Sequence, residues 1–339
     1  MNLVESRPYW NRCQFDEKNR KGHYESYFLR ANHPTENKAF WIRYTIFSPK
    51  GRPIDNIGEL WVMYFDADQN KVVAGKEELP LSDCSFSSMD QNVRIGDAKL
   101  VPGKLEGTAS AGGDTISWAL SFSGGQEPLL FLPPAYYNRS LPKAKALVGT
   151  PNTLFNGRLV VNGEVVEISD WQGSENHNWG SQHTNQYAWG QVCGFDDAPD
   201  AFLECATARI KIGPVLTPSL TSVVLRLDGE EYRLNSAIQN VRAKGSYCFE
   251  GEDLFAWEFS SKDKNIAIEG RISAPKEHFV GLNYYNPPGG SNSCLNSKVA
   301  NCELKVQIKG QPQRVLTASS KAAFEILTAS TNHGVPVVA

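Results

Sequence analysis

No stretch of this sequence reaches the ~18 consecutive apolar residues that a membrane helix needs, so no integral membrane segment is expected. No block of Lys or Arg stands out, and a net charge of −3 leaves no footprint for nucleic acid or an anionic membrane surface. Motif-borne chemistries are missing too: there is no GxGxxG, no P-loop, no HExxH and no GxSxG. The seven cysteines (Cys13, Cys84, Cys193, Cys205, Cys248, Cys294 and Cys302) are odd in number, scattered and without a CxxC. Reduced thiols and a cytoplasmic location fit them better than a disulfide framework. The opening residues, Met1 to Trp10, carry charges and a proline but no apolar core, so no secretory signal is expected.

What is present is a chain of 339 residues with 41% hydrophobic and 21% charged side chains. That is enough to bury sizeable cores, and the length points to about two domains. Short strands dominate. From His23 to Ala31 the sequence alternates, putting His23, Glu25, Tyr27 and Leu29 on one face. In residues 39–47, Trp41, Arg43, Thr45 and Phe47 oppose Phe40, Ile42, Tyr44 and Ile46. Asn162-Gly163 and Asp228-Gly229 suit the positive φ values of tight hairpins. Further strands are predicted at 187–195, 202–212, 222–227, 230–234, 256–260, 265–273 and 302–307. The proline-rich stretch 129–148 reads as a long connection carrying a short helix. Ser319–Thr328 reads as a C-terminal helix, with Ser-Ser as its cap. This is a mostly β chain of barrels or sandwiches, divided near Ile168 into domains 1–168 and 169–339.

The most informative segment is Ser169 to Gly194, SDWQGSENHNWGSQHTNQYAWGQVCG. It combines Trp171, Trp179 and Trp189 with His177, His183, Asp170, Glu175 and several amides. Up to Gln186 it reads as a loop, too polar for a plain core strand and too aromatic for ordinary surface. Such a mixture can hold and orient an apolar ligand; equally, the tryptophans can plug barrel ends while the amides bond loop backbone. The histidines, six apart with no third ligand, do not suggest a metal site.

Glu175-Asn-His-Asn-Trp-Gly180, followed by Trp189-Gly-Gln191, resembles a motif of the tocopherol cyclase and hydroxyneurosporene synthase (carotenoid 1,2-hydratase) family. Gly22-His-Tyr-Glu-Ser-Tyr-Phe28 resembles that family's G-x-x-E-aromatic-aromatic strand, with Glu25 at the acidic position and Ser26 where many members have tryptophan. The resemblance implies two tandem lipocalin-like antiparallel β-barrels with a ligand cavity in or between them. It also implies cofactor-free acid–base chemistry on isoprenoid or polyene substrates, and hydratase, cyclase or isomerase activity across the broader group.

Protonating an alkene needs a buried acid, and desolvation can keep a carboxyl protonated near neutral pH. It also needs aromatic faces for the cation. Glu25, Glu175 and Asp170 are the candidate carboxyls, and His177 could relay a proton or orient a water. Tyr24, Tyr27, Trp179 and Trp189 are expected to line the cavity, with Asn178 or Gln191 polarising a carbonyl in a pericyclic closure. Residues 283–300 read as a lid loop, with Tyr284 and Tyr285 as possible ligand contacts. Alternation alone leaves Glu25 facing either cavity or solvent. A hydrophobic small molecule is the expected partner, for a monomer or homodimer. An enzyme of the lyase or isomerase type and a non-catalytic carrier of a lipid or pigment both remain open readings.

Overall fold

The computed structural model describes residues 7–338. Two antiparallel sheets hold almost every strand. The first runs in the order Lys71–Pro80, Ile57–Asp66, Lys38–Ser48, His23–Asn32, Glu164–Gly180, Ala144–Val161, Asp114–Gly124 and Lys104–Ala111, then three short strands ending at Cys84–Phe86. The second runs Glu230–Leu234, Leu220–Leu227, Ala198–Arg209, Gln186–Phe195, Arg314–Thr328, Ser291–Ile308, Ile266–Pro275, Leu254–Lys262 and Lys244–Cys248. Each sheet curls round until one edge strand packs against strands near its other end. In the first, Gly75 backs onto Ala109, where a Cβ would stand 2.6 Å from the carbonyl oxygen. In the second, Gly245 packs on Thr207 and Thr221, and a Cβ would fall 2.0 Å from Thr207 Oγ1. Only glycine permits these approaches.

Side-chain alternation fills both barrels. Tyr27, Leu29, Ala31, Phe40, Ile42 and Phe155 belong to the first core, and Leu203, Leu225, Phe255, Trp257, Ile272 and Phe324 to the second. Burying side chains of this size contributes about 1.5–3 kcal/mol each. Several strands are buried on both faces because the barrels pack against one another. A third cluster, including Trp41, Trp61, Met63, Leu282, Tyr284 and Leu327, joins them.

That two-sided burial explains where the structure departs from the sequence reading. Ser319–Thr328 is not a helix but part of the strand Arg314–Thr328. Ala322, Phe324 and Ile326 enter the second core and Leu327 the joining cluster, so the apolar residues run together without a visible period of two. Ser320, read as a cap, has φ of 54° beside a register shift. Residues 283–300 are not a lid loop either: Val280–Tyr285 and Ser291–Ile308 form a hairpin, with Pro-Pro-Gly-Gly confined to its turn. The segment up to Gln186 is mostly strand, Glu164–Gly180, polar and aromatic because one face enters the first barrel and the other meets the second. The boundary expected at 168 falls within this strand, and the chain changes sheets at 181–185. Between 129 and 148 the expected short helix is a 3-10 turn, Pro134–Tyr136. No helix among the described residues is long and apolar enough to cross a membrane.

Candidate active site

Alternation on His23–Asn32 separates the residues of the expected site. Glu25 and Tyr27 point into the first barrel, whereas Tyr24, Ser26, Phe28 and Arg30 point toward the second. Glu164–Gly180 pairs beside it with Tyr27 opposite His177 and Ser26 opposite Asn178, which divides that strand in the same way.

Within the first barrel, Glu25 is wholly buried. Its carboxylate accepts from His177 Nε2 at 2.8 Å, His23 Nε2 at 2.9 Å, Gln14 N at 2.8 Å and Tyr27 OH at 3.3 Å. Burial pushes the carboxyl up, but the hydrogen bonds and charge of His177 and His23 overcome it and hold it at about 2. His177 also reaches Trp10 O at 2.8 Å and stacks on Tyr27 at 4.4 Å, with Trp179 at 4.6 Å. An ionised carboxylate with this many donors is a poor proton source. Glu175, buried beneath the segment carrying Arg7 and Asn11, accepts from Thr150 Oγ1 at 2.7 Å and from Gln91. Its pKa is raised by burial, but it lies on a separate void of about 370 Å³ in the first barrel. Asp170, expected beside these acids, is instead exposed, with φ of 51°, and accepts from Asn156 Nδ2 at 3.0 Å, outside both that void and the cavity between the barrels.

A cavity of about 410 Å³ lies between the barrels. Across it the strands Lys38–Ser48, His23–Asn32, Glu164–Gly180 and Ala144–Val161 face Arg314–Thr328, Gln186–Phe195, Ala198–Arg209 and Leu220–Leu227. At the Lys38–Ser48 side stand Arg43, Tyr284 and Glu325; at the Ala144–Val161 side stand Phe131, Leu132, Ala146 and Leu220. Tyr24, Asn178, Trp189 and Tyr284, expected from the sequence, line this cavity, as does part of His177; Glu25, Glu175, Tyr27, Trp179 and Tyr285 do not. Tyr27 and Trp179 pack around His177, and Tyr285 lies against Phe47 at 5.5 Å.

Between the two sides is a carboxyl that the sequence reading passed over. Glu204, 3% exposed, accepts from Trp189 Nε1 at 2.8 Å and Gln191 Nε2 at 2.8 Å. Burial raises its pKa to about 7, against the opposing pull of those two hydrogen bonds and of Arg30. Gln191 is fixed from the first barrel, accepting from Ser174 Oγ at 2.7 Å and donating to Asn176 Oδ1 at 2.7 Å. Nearby, Lys298 Nζ donates to Glu325 Oε1 at 2.8 Å and sits 5.6 Å from the rings of both Trp41 and Trp189. His183 stacks on Tyr24 at 3.7 Å, and burial followed by the charge of Arg43 lowers its pKa to about 3, keeping it neutral. Burial likewise pushes the phenols of Tyr24, Tyr187 and Tyr284 upward, so they keep their protons. The arrangement offers one carboxyl poised between its two forms, aromatic faces and neutral hydrogen-bond donors.

No family model and no curated protein matches the sequence. Solved structures do match the fold. A Nitrosomonas europaea protein assigned as an AttH superposes with a TM-score of 0.58 at 12% identity, over 94% of this chain and 97% of that one. Kievitone hydratase from Nectria haematococca gives 0.55 at 11% identity, over 97% and 93%. CghA gives 0.53 at 10%, over 92% and 90%. At these identities the likeness shows a shared lipocalin-like barrel architecture along nearly the whole chain.

Proposed function

We propose that this chain is a cofactor-free hydratase or cyclase acting on an apolar, isoprenoid- or polyketide-like small molecule in the cavity between the barrels. The observation that carries the reading is Glu204: a buried carboxyl with a pKa near 7, on the wall of an apolar cavity, held by Trp189 and Gln191. In its protonated form Glu204 gives a proton to an alkene carbon, and the cation that forms faces the indoles of Trp189 and Trp41. In a hydration, water adds to the cation and its surplus proton returns to the Glu204 carboxylate, for net addition of water. In a cyclisation, a second double bond closes on the cation and the proton lost afterward returns to Glu204. Asn178, whose buried Oδ1 has no partner among the described residues, can orient the attacking water. Glu25 and His177 are assigned to supporting the strands that carry Tyr24 and Asn178. One of the solved structures of this fold is a hydratase by name, which favours the same chemistry here.

The carrier reading draws on a different observation: Glu25 and His177 are fully engaged in hydrogen bonds inside the first barrel. One experiment separates the two. The ligand co-purifying with the protein is identified by native mass spectrometry and organic extraction, then supplied to wild type and Glu204→Gln. The enzyme reading expects wild type to yield a product heavier by one water, or of equal mass and new retention, and the variant to yield it roughly a hundredfold or more slowly. Recovery of the ligand unchanged from both proteins would replace that reading with the carrier.

A further inference from the structure

Arg43 is a charged side chain in an apolar strand, 4% exposed, on the cavity wall. Its guanidinium lies 4.3 Å from the ring of Tyr284, and Nη2 donates to Ser26 Oγ at 2.6 Å. Among the described residues Nε has no partner, and no carboxylate lies within ion-pair distance of the group. The two acids whose charge reaches Arg43 face other cations: Glu325 Oε1 stands 2.8 Å from Lys298 Nζ, and Glu59 Oε1, itself without a hydrogen-bond donor among the described residues, stands 3.4 Å from Lys76 Nζ. Two positions along the same strand, Trp41 lines the same cavity, and its buried Nε1 is also without an acceptor among the described residues. Buried donors are almost always bonded, and a guanidinium is charged at every physiological pH. Two unmatched donors on one wall, one of them cationic, call for an acceptor that the described residues do not place within reach of them.

We infer that Arg43, with Trp41, anchors an anionic oxygen of the substrate, a carboxylate or ionised enol, while its hydrocarbon extends past Glu204 toward Phe131, Leu132 and Leu220. The substrate is then an apolar acid rather than a neutral hydrocarbon. Strand order supports this direction, because Arg43 stands at the opposite side of the cavity from the apolar wall and Glu204 lies between. A planar fork suits two oxygens bonded to one carbon, or two on a conjugated enol system. The inference rests on the proposed function only in taking this cavity as the substrate site.

The test is calorimetric titration of the full chain with dodecanoate, dodecanol and methyl dodecanoate below their aggregation concentrations, for wild type, Arg43→Met and Trp41→Phe. Dodecanoate is expected to bind wild type about tenfold or more tightly than either neutral probe. Arg43→Met should remove that preference while leaving dodecanol affinity within about twofold, and Trp41→Phe should reduce it severalfold. Equal binding of acid and alcohol by wild type would overturn the anchor while leaving the apolar cavity standing. A preference that survives in Arg43→Met would place the anion elsewhere and overturn it too. Binding of none of the probes would count against the cavity and so against the functional reading beneath it. Should Arg43→Met fail to fold, the wild-type preference and Trp41→Phe still decide.

Discussion

Trp189 Nε1 holds Glu204 Oε1 at 2.8 Å, and the two side chains share a wall of the cavity between the barrels. This bond stabilises the ionised carboxylate, so it works against burial, which favours the protonated form. Replacing the indole by phenylalanine removes the donor and keeps the site apolar. Trp189→Phe is therefore expected to raise the Glu204 pKa above about 7, by roughly one unit, which corresponds to about 1.4 kcal/mol. Infrared difference spectra of the protonated carboxyl band across a pH series would measure this, with Glu204→Gln identifying the band. A shift to lower pH would mean that burial is not what sets the value.

Turnover should follow the protonated form of Glu204. Activity is expected to fall as pH rises through about 7, and in Trp189→Phe this limb should move to higher pH. Glu204→Gln should lower kcat by roughly 10²–10⁴-fold, the usual contribution of a general acid, with ligand affinity changed only a few-fold. Loss of affinity and rate together would make Glu204 a binding residue.

The same carboxyl should leave a mark on stability. Its folded pKa is raised from 4.5 to about 7, so between those values the native state holds more protons than the unfolded chain. Stability must then fall as pH rises across that window, by at most about 3 kcal/mol. Denaturant unfolding of wild type and Glu204→Gln at pH 5 and pH 8 tests the sign: the variant should lose less stability between the two. A parallel pH dependence in both proteins would refute the raised value.

Much of the architecture is legible in the sequence because hairpin turns and period-two alternation are local signals, as Asn162-Gly163 and His23–Asn32 show. What escaped was the effect of packing one barrel on the other. It buries the outer faces of Glu164–Gly180, Ser291–Ile308 and Arg314–Thr328, erasing the alternation that marks a strand half exposed. The candidate site was legible in part: Tyr24, Asn178, Trp189 and Tyr284 line the cavity, whereas Glu25, Glu175 and Tyr27 belong to the first barrel. One signal for the missing residues was available. Arg43 in FWIRYTIF, Glu204 in AFLECATA, Lys298 in SCLNSKVANC and Glu325 in AAFEILTA are each the lone charge in an uncharged run. A single charge on a strand with no polar face has nowhere to go but a buried partner or a cavity.

Lys298 and Glu325 illustrate the buried partner. The ammonium is wholly buried, 2.8 Å from the carboxylate and bonded also to Asn296. Removing one member leaves the other charge uncompensated, so Lys298→Met is expected to cost about 3–5 kcal/mol. Adding Glu325→Gln should restore most of that loss, since the residual buried charge disappears. Chemical denaturation of the two single variants and the double variant measures the coupling. Additive losses would show that the two side chains do not depend on each other.

Glu25 provides the opposite pH signature to Glu204. Its folded pKa is depressed from 4.5 to about 2, so the native state releases its proton more readily than the unfolded chain does. The associated stability is present above pH 4.5 and is lost as pH falls toward 2, to an extent of about 3 kcal/mol. Acid unfolding should therefore steepen below pH 4.5 in wild type and be flatter in Glu25→Gln, whose stability at neutral pH is lower by a comparable amount. His177→Ala should act at neutral pH as well, because it removes the shorter of the two histidine bonds and leaves a cavity under Tyr27. Tm measured from pH 2 to 8 for the three proteins distinguishes this from a catalytic role. A structural Glu25 lowers Tm when replaced and leaves the pH limb of turnover where Glu204 sets it, whereas a moved limb at unchanged Tm would return Glu25 to the chemistry.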